Sequence, residues 1–142
     1  MEKEKFEYMK FANENLISQL FSIVDNFDMA FSSIKETEEN KSIIEGIKLV
    51  QKEFHRILKD NGVEIIETEG KMFDPNIHEA VIAVENTEVV DGMIIEQMRT
   101  GYLLNGRLLR PAQVKIAKNE TSNINTDNDL DESIENPNSI EN

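Results

Sequence analysis

The chain contains no cysteine and no tryptophan, and aromatic residues make up 6% of its 142 residues. Without cysteine, it can form neither disulfides nor thiolate metal sites, and it has no thiol nucleophile; a reducing cytoplasmic location is therefore expected. No apolar run approaches the roughly 18 residues of a membrane-spanning helix, and the charged segment from Met1 to Lys10 does not resemble a secretory signal. The scarcity of large apolar residues favours an elongated or oligomeric protein over one deep globular core.

Basic residues are in the minority, and the formal net charge is −13. Seven acidic residues and no basic ones lie between Asn119 and Asn142, so residues 1–118 carry the remaining −6. An acidic balance argues against binding to nucleic-acid phosphates and favours a protein partner. Residues 119–142 are also rich in Asn and poor in apolar side chains, and this segment is predicted to be a disordered acidic tail.

The sequence contains no recognisable catalytic motif. Its six glycines are scattered rather than gathered in a phosphate-binding loop, and its acidic residues show no paired-carboxylate spacing. His55 is predicted to be a partly exposed helix residue, and His78, after Asp-Pro-Asn-Ile, to hydrogen-bond a turn rather than to act as a base. The chain is therefore not expected to be an enzyme, and no metal, cofactor or small-molecule substrate is expected.

The first predicted element is a helix with a heptad seam. Apolar residues recur at alternating spacings of 3 and 4, interrupted only by Asn13; the seam consists of Phe6, Met9, Asn13, Leu16, Leu20, Ile23, Phe27, Ala30 and Ile34. A second apolar row of Ile17, Val24 and Phe31 widens the stripe, as in helices covered by more than one neighbour in a four-helix bundle. We therefore expect Leu16, Leu20, Ile23 and Phe27 to lie in a dimer interface.

Asn13 occupies an a position of this heptad seam. It can be a solvated polar residue near the end of the helix. It can also form a buried Asn–Asn pair that sets the register of a parallel dimer. Because the seam is apolar on both sides of Asn13, both interpretations stay open.

A second helix is predicted from Ser42 to Asn61, with capping-box spacing between Ser42 and Glu45 and a left-handed Gly62 at its end. The polar link over residues 35–41 is short enough to fold this helix back as an antiparallel hairpin. Gly46 lies inside the helix, where glycine costs about 1 kcal/mol relative to Ala. It is either a tolerated or closely packed position, or a place where a partner approaches the backbone.

After residue 62 the apolar pattern changes to that of strands. Short β-type runs are separated by turn residues; the runs span residues 63–66, 80–84, 94–98, 102–103, 108–109 and 114–117. Asn105-Gly106 predicts a type I′ hairpin, and Asp91-Gly92 and Asp74-Pro75-Asn76 predict further turns. These features predict an α+β protein: helices for dimerisation over residues 1–61, in a coiled coil or four-helix bundle, then a small, mostly antiparallel β-domain over residues 62–118.

Three stretches of sequence together resemble the GrpE family, the nucleotide exchange factors of DnaK-type chaperones. The first runs from Asn13 to Ala30 and includes Val24-Asp25-Asn26-Phe27-Asp28-Met29-Ala30. The second contains Glu45-Gly46-Ile47 and continues from Phe54 to Glu64. The third and most specific contains Phe73-Asp74-Pro75-Asn76-Ile77-His78-Glu79-Ala80, Gly101-Tyr102, Asn105-Gly106-Arg107, Leu109-Arg110-Pro111-Ala112 and Val114-Lys115-Ile116-Ala117-Lys118.

The resemblance implies a symmetric, parallel homodimer whose β-domain wedges open the nucleotide-binding domain of a DnaK-type chaperone, so that ADP leaves. By resemblance, the contacts fall at Met98, Arg107 and Ile116, with Gly46 in a supporting position. The chain departs from the family at Phe21, where many members have Pro, so a helix continuous through Phe21 is expected. The alternative functions are a purely structural coiled-coil dimerisation module without exchange activity, and a small acidic hydrolase or ligand-binding domain.

Overall fold

The computed structural model describes residues 1–119, and it confirms an α+β protein in which helices precede strands. Three helices are followed by six strands: α1 (Glu2–Phe11), α2 (Glu14–Ser33), α3 (Lys41–Asp60), β1 (Val63–Ile65), β2 (His78–Val84), β3 (Ile94–Arg99), β4 (Tyr102–Leu104), β5 (Arg107–Arg110) and β6 (Ala112–Ala117). Among these described residues, no helix combines the length and apolar character needed to cross a membrane. The predicted tail lies outside the described residues, apart from Asn119.

The first predicted helix is bent, which the heptad pattern did not predict. α1 ends at Phe11 and α2 begins at Glu14, with Asn13 between them at φ −91° and ψ 0°. The Asn105 side-chain amide donates a hydrogen bond of 2.9 Å to the Lys10 carbonyl at this point. A contact from the β-domain therefore satisfies a carbonyl at the bend. The expected continuity through Phe21 is confirmed, because α2 runs unbroken across it.

The start of α3 differs from the prediction, whereas its end agrees with it. The predicted capping box is wrong: Asn40 occupies the cap position, and no side-chain capping bond is present. The Asn40 side chain instead closes the link between the helices, accepting from the Thr37 amide at 2.7 Å and donating to the Lys35 carbonyl at 3.0 Å. At the other end Gly62 adopts φ +87°, as predicted for a glycine that closes a helix.

The six predicted strands are all present and form two three-stranded sheets. In the first sheet β4 lies between β1 and β5, and both pairings are antiparallel. In the second sheet β6 lies between β2 and β3; β3 pairs with it antiparallel, but β2 pairs with it parallel. The β-region is therefore mostly antiparallel, as predicted, with one parallel pair that the turn residues did not indicate.

One apolar cluster joins α2 and α3 to the first sheet. Phe21, buried to 3% exposure, stacks on Tyr102 with ring centroids 4.0 Å apart. The buried members are Ile17, Phe21, Val24, Leu58, Val63, Tyr102 and Leu104. A second cluster, of Ile66, Ile94, Ala112 and Val114, lies under the second sheet. Ile17 and Val24, two of the residues that widen the apolar stripe of α2, are thus covered by the β-domain and α3 of the same chain.

Gly101, just before β4, lies where the backbone of β6 comes closest. A Cβ atom at this position would lie 2.2 Å from the amide nitrogen of Ala112, which is too close for any side chain. Gly101 therefore allows the two sheets to meet, and its backbone carbonyl accepts a hydrogen bond of 3.0 Å from the Ile66 amide.

Candidate functional site

The tip of the β4–β5 hairpin presents Arg107. Asn105 and Gly106 have φ values of 49° and 87°, as a type I′ turn requires, and Leu104 pairs directly with Arg107 across this two-residue loop. The predicted hairpin is therefore confirmed. The backbone of Arg107 is held by the strand pairing, and its side chain is 53% exposed.

Arg107 is not isolated in solvent, however, because its guanidinium lies against the bend between α1 and α2. It forms an ion pair with Glu14 and stacks over the Phe11 ring, 4.6 Å from the ring centroid. Together with the Asn105–Lys10 bond, these contacts dock the hairpin tip on the helix. The sequence predicted the exposed position of Arg107 but did not predict its partner.

A second arginine of β5, Arg110, forms the most enclosed ion pair among residues 1–119. Its two terminal nitrogens donate to the two oxygens of Asp25 at 2.8 and 2.5 Å, and its Nε donates to the Thr100 carbonyl at 2.8 Å. The guanidinium lies 5.2 Å from the ring centroids of both Phe21 and Tyr102. Hydrogen bonding by Arg110 lowers the pKa of Asp25 below its usual value.

Sequence reasoning missed this junction, although both partners lie in stretches that carried the family resemblance. Asp25 was part of the first stretch and Arg110 part of the third, but nothing in the local pattern joined them. The available signal was the second apolar row of α2: Ile17 and Val24 of that row face the β-domain, and Asp25 borders this face. A charged residue beside a buried row needs a partner of opposite charge.

The other predicted partner-binding residues lie on different elements. Met98, on β3, is 46% exposed, and Ile116, on β6, is half-buried against the second apolar cluster. Gly46 lies on the exposed surface of α3, where an added Cβ would meet nothing within 4 Å. The structure therefore places Met98 and Ile116 on the second sheet and Arg107 on the first, and it does not bring Gly46 to either sheet.

The predicted dimerisation residues follow the exposed side of α2. Leu16 and Ile23 are 59% and 42% exposed, Leu20 and Phe27 are half-buried, and Asn13 is exposed at the bend. This row lies beside the one that contacts the β-domain. Within one chain it has little cover.

The two histidines occupy the kinds of position predicted for them. The Nδ1 atom of buried His78 accepts from the Asp74 amide at 3.0 Å, and its Nε2 lies 3.1 Å from the Glu67 carbonyl, so the ring holds the turn together. His55 is half-buried on α3. Within residues 1–119 no group of three or more His, Asp or Glu side chains could hold a metal ion.

Comparison with known proteins agrees with the resemblance in sequence. The GrpE family model matches residues 1–118. The protein GrpE of Oceanobacillus iheyensis is 41% identical over 116 residues, which are 82% of this chain and 60% of that protein. Those of Alkaliphilus oremlandii and Methanosphaera stadtmanae are 42% and 39% identical over 118 and 116 residues, covering 83% and 82% of this chain and 63% and 65% of theirs. The chain thus spans about three fifths of the length of such relatives.

Proposed function

The chain belongs to the GrpE family, and on this basis we propose that it is a non-catalytic nucleotide exchange factor for a DnaK-type chaperone. In this proposal the β-domain, residues 62–118, enters the nucleotide-binding cleft of the chaperone and holds it open, so that ADP leaves. The observation that carries the proposal is the hairpin tip, where a rigid two-residue turn presents a half-exposed arginine.

Arg107 suits this role because its backbone is fixed while its side chain can change partner. A guanidinium can bind a carboxylate through two parallel hydrogen bonds or donate to several carbonyls in a cleft. In the free chain Glu14 and the Phe11 ring hold Arg107 in one place. A carboxylate of the chaperone would replace Glu14, so the Arg107 side chain would lose little conformational entropy on binding.

Met98 and Ile116 extend the proposed contact along the second sheet. The half-exposed thioether of Met98 can adapt to an apolar surface of the partner. Ile116 supports this surface from below, because it packs on the cluster that contains Ile94 and Val114. Gly46 gives a second, separate contact on α3, where the bare backbone permits close approach.

We further propose that the chain acts as a parallel homodimer. On α3 an apolar stripe of Ile43, Val50 and Ile57 remains 64%, 59% and 47% exposed, and most of the seam of α2 is exposed as well. Exposed apolar rows on two neighbouring helices mark an interaction surface. A second copy of the hairpin would cover them in a four-helix bundle.

The test is stimulated release of a fluorescent ADP analogue from a DnaK-type chaperone. Arg107→Ala is expected to slow stimulated release by about tenfold or more, the effect of losing a partly desolvated charge-assisted hydrogen bond in the complex. Its melting temperature should hardly change, because the side chain is half-exposed.

Glu14→Gln is the matched control, since it weakens the internal partner of Arg107 but leaves the arginine in place. This variant should release ADP as fast as the parent chain or faster. Unaltered release by Arg107→Ala in a folded dimer would remove Arg107 from the contact. A parent chain that dimerises but does not stimulate release would be a structural dimerisation module instead.

A further inference from the structure

Strand β5 carries two arginines, and each pairs with a carboxylate of α2. Arg107 pairs with Glu14 and Arg110 with Asp25. The two carboxylates lie eleven residues apart, about 16 Å along a helix, and the two arginines lie three residues apart, about 10 Å along a strand. The strand is therefore attached to the helix at both of its ends.

The two attachments differ in how firmly they are held. The Arg107 side chain is 53% exposed, whereas that of Arg110 is 14% exposed. Arg110 makes two bonds to Asp25 and a third to the Thr100 carbonyl, and it lies beside the stacked rings of Phe21 and Tyr102. Arg99 brings a second guanidinium to within 3.3 Å of Asp25. One end of β5 is therefore suited to exchange partners, and the other end is suited to stay fixed.

The apolar cluster beneath the pair joins the same elements but sets their relative angle less strictly. The hydrophobic attraction that buries side chains such as Phe21 and Tyr102 is not itself directional. A bidentate bond between a guanidinium and a carboxylate fixes both distance and orientation. Burial of the Arg110 side chain strengthens this constraint, since an unpaired charge there would be costly.

We propose that Asp25 and Arg110 form a positioning pair that sets the angle of the β-domain on α2, and that the maximal rate of nucleotide release depends on it. The proposal rests on the exchange function proposed above. An exchange factor shifts the equilibrium of a cleft towards the open state only to the extent that its affinity for the open state exceeds its affinity for the closed state. A β-domain free to pivot would follow the closed cleft and lose this preference, while still binding the chaperone.

The kinetic test compares Asp25→Asn and Arg110→Lys with the parent chain. The first variant removes the charge, and the second keeps the charge but cannot form the two-pronged bond. At saturating exchange factor, we expect the maximal rate of ADP release to fall by about tenfold in both variants. The concentration giving half-maximal release should change by less than about threefold, in contrast to Arg107→Ala, which loses a contact. Arg56→Gln is the matched control, because Arg56 also makes a two-bonded pair with one carboxylate, that of Glu53, but lies on the exposed surface of α3.

The structural test measures the angle directly. The parent chain has no cysteine, so Ser32→Cys on α2 and Thr87→Cys after β2 can carry two spin labels. Labelled chain diluted with unlabelled chain reports the distance within one subunit. We expect a narrow distance distribution in the parent and a broader one with Asp25→Asn. Measurements well below the melting temperature of each variant keep the chain folded, and Arg110→Lys provides a second, milder variant.

Each combination of results decides the proposal. A broader distribution together with a lower maximal rate supports it. Any other combination of results overturns it. If the rate falls while the distance distribution stays narrow, the pair does not act through the position of the β-domain. If the distribution broadens while the rate is unchanged, nucleotide exchange does not depend on the angle. Failure of the parent chain to stimulate release would refute the exchange function instead, and would leave the distance measurement as a separate result on the pair.

Discussion

In the β-domain, Tyr102, Leu104 and Val114 are buried to 1% exposure or less within a single chain, whereas on the helices Leu16 and Ile43 remain more than half exposed. Both regions carry regular apolar patterns. The apolar residues of the β-domain are buried by its two sheets and by one face of α2. The seam of α2 and the stripe of α3 are not buried in this way. The β-domain thus has a closed apolar core within one chain, whereas the helices leave an apolar surface exposed, which the dimer proposed above would cover.

The largest expected effect would come from a charge on the open seam. Ile23→Asp should convert a dimer into a monomer at micromolar concentration, because a carboxylate in a bundle core is left without a partner. The fold of the single chain should survive, since Ile23 is 42% exposed in it. Light scattering and circular dichroism measure the two quantities.

Met29→Asp is the control for this substitution. Met29 is on the same helix and is 66% exposed, but it lies off the seam. A dimer that persists with Ile23→Asp, or that is lost equally with Met29→Asp, would show that the seam is not the interface.

A smaller but still large effect is expected in the apolar cluster that joins α2 and α3 to the first sheet. Phe21→Ala should lower the free energy of unfolding by about 3–5 kcal/mol, because it removes a buried ring that stacks on Tyr102. The loss should be the same at low and high protein concentration, since both rings belong to one chain. Denaturant unfolding at two protein concentrations measures it.

Ile23→Ala gives the matched comparison two residues further along α2, on its other face. Its cost should grow with the population of dimer and therefore with protein concentration. If the cost of Phe21→Ala depended on concentration and that of Ile23→Ala did not, the assignment of the two faces of α2 would be reversed.

The smallest effect concerns Asn13, at the bend. Its side chain is exposed in the single chain, so Asn13→Leu should matter only if it faces the partner helix. We expect the melting temperature to rise by roughly 2–4 °C while the register or oligomeric state becomes less uniform. Thermal unfolding and light scattering test this expectation. A lower melting temperature with a uniform dimer would contradict the buried Asn–Asn pair.

Local chemistry made much of the fold predictable. The hairpin at Asn105-Gly106, the glycine that closes α3 and the turn held by His78 all depend on residues within a few positions of one another. The six strands followed from short β-type runs between such turns. The parallel pairing of β2 with β6 depends on the path of the intervening chain, which no local pattern describes.

The features that escaped prediction depend on distant contacts. Asn105, which contacts Lys10 at the bend, and Arg110, which pairs with Asp25, are separated from their partners by 95 and 85 residues. Phe21 lies off the heptad seam, so its burial became visible only once the β-domain was placed against it. At the candidate site, the exposed position of Arg107 could be predicted, but its pairing with Glu14 could not.

The burial of Tyr102 affects the fluorescence of the protein and its stability at alkaline pH. The chain has two tyrosines and no tryptophan, and the other tyrosine, Tyr8, is 76% exposed on α1. Tyrosine emission therefore combines one solvated ring with one ring stacked at the junction of α2 and β4, without an indole to mask either. Burial raises the pKa of Tyr102 to about 12. The folded chain keeps this phenolic proton at pH values where an unfolded tyrosine, with a pKa of about 10, releases it. The contribution of Tyr102 to stability is therefore present below about pH 10 and declines as the pH rises towards 12.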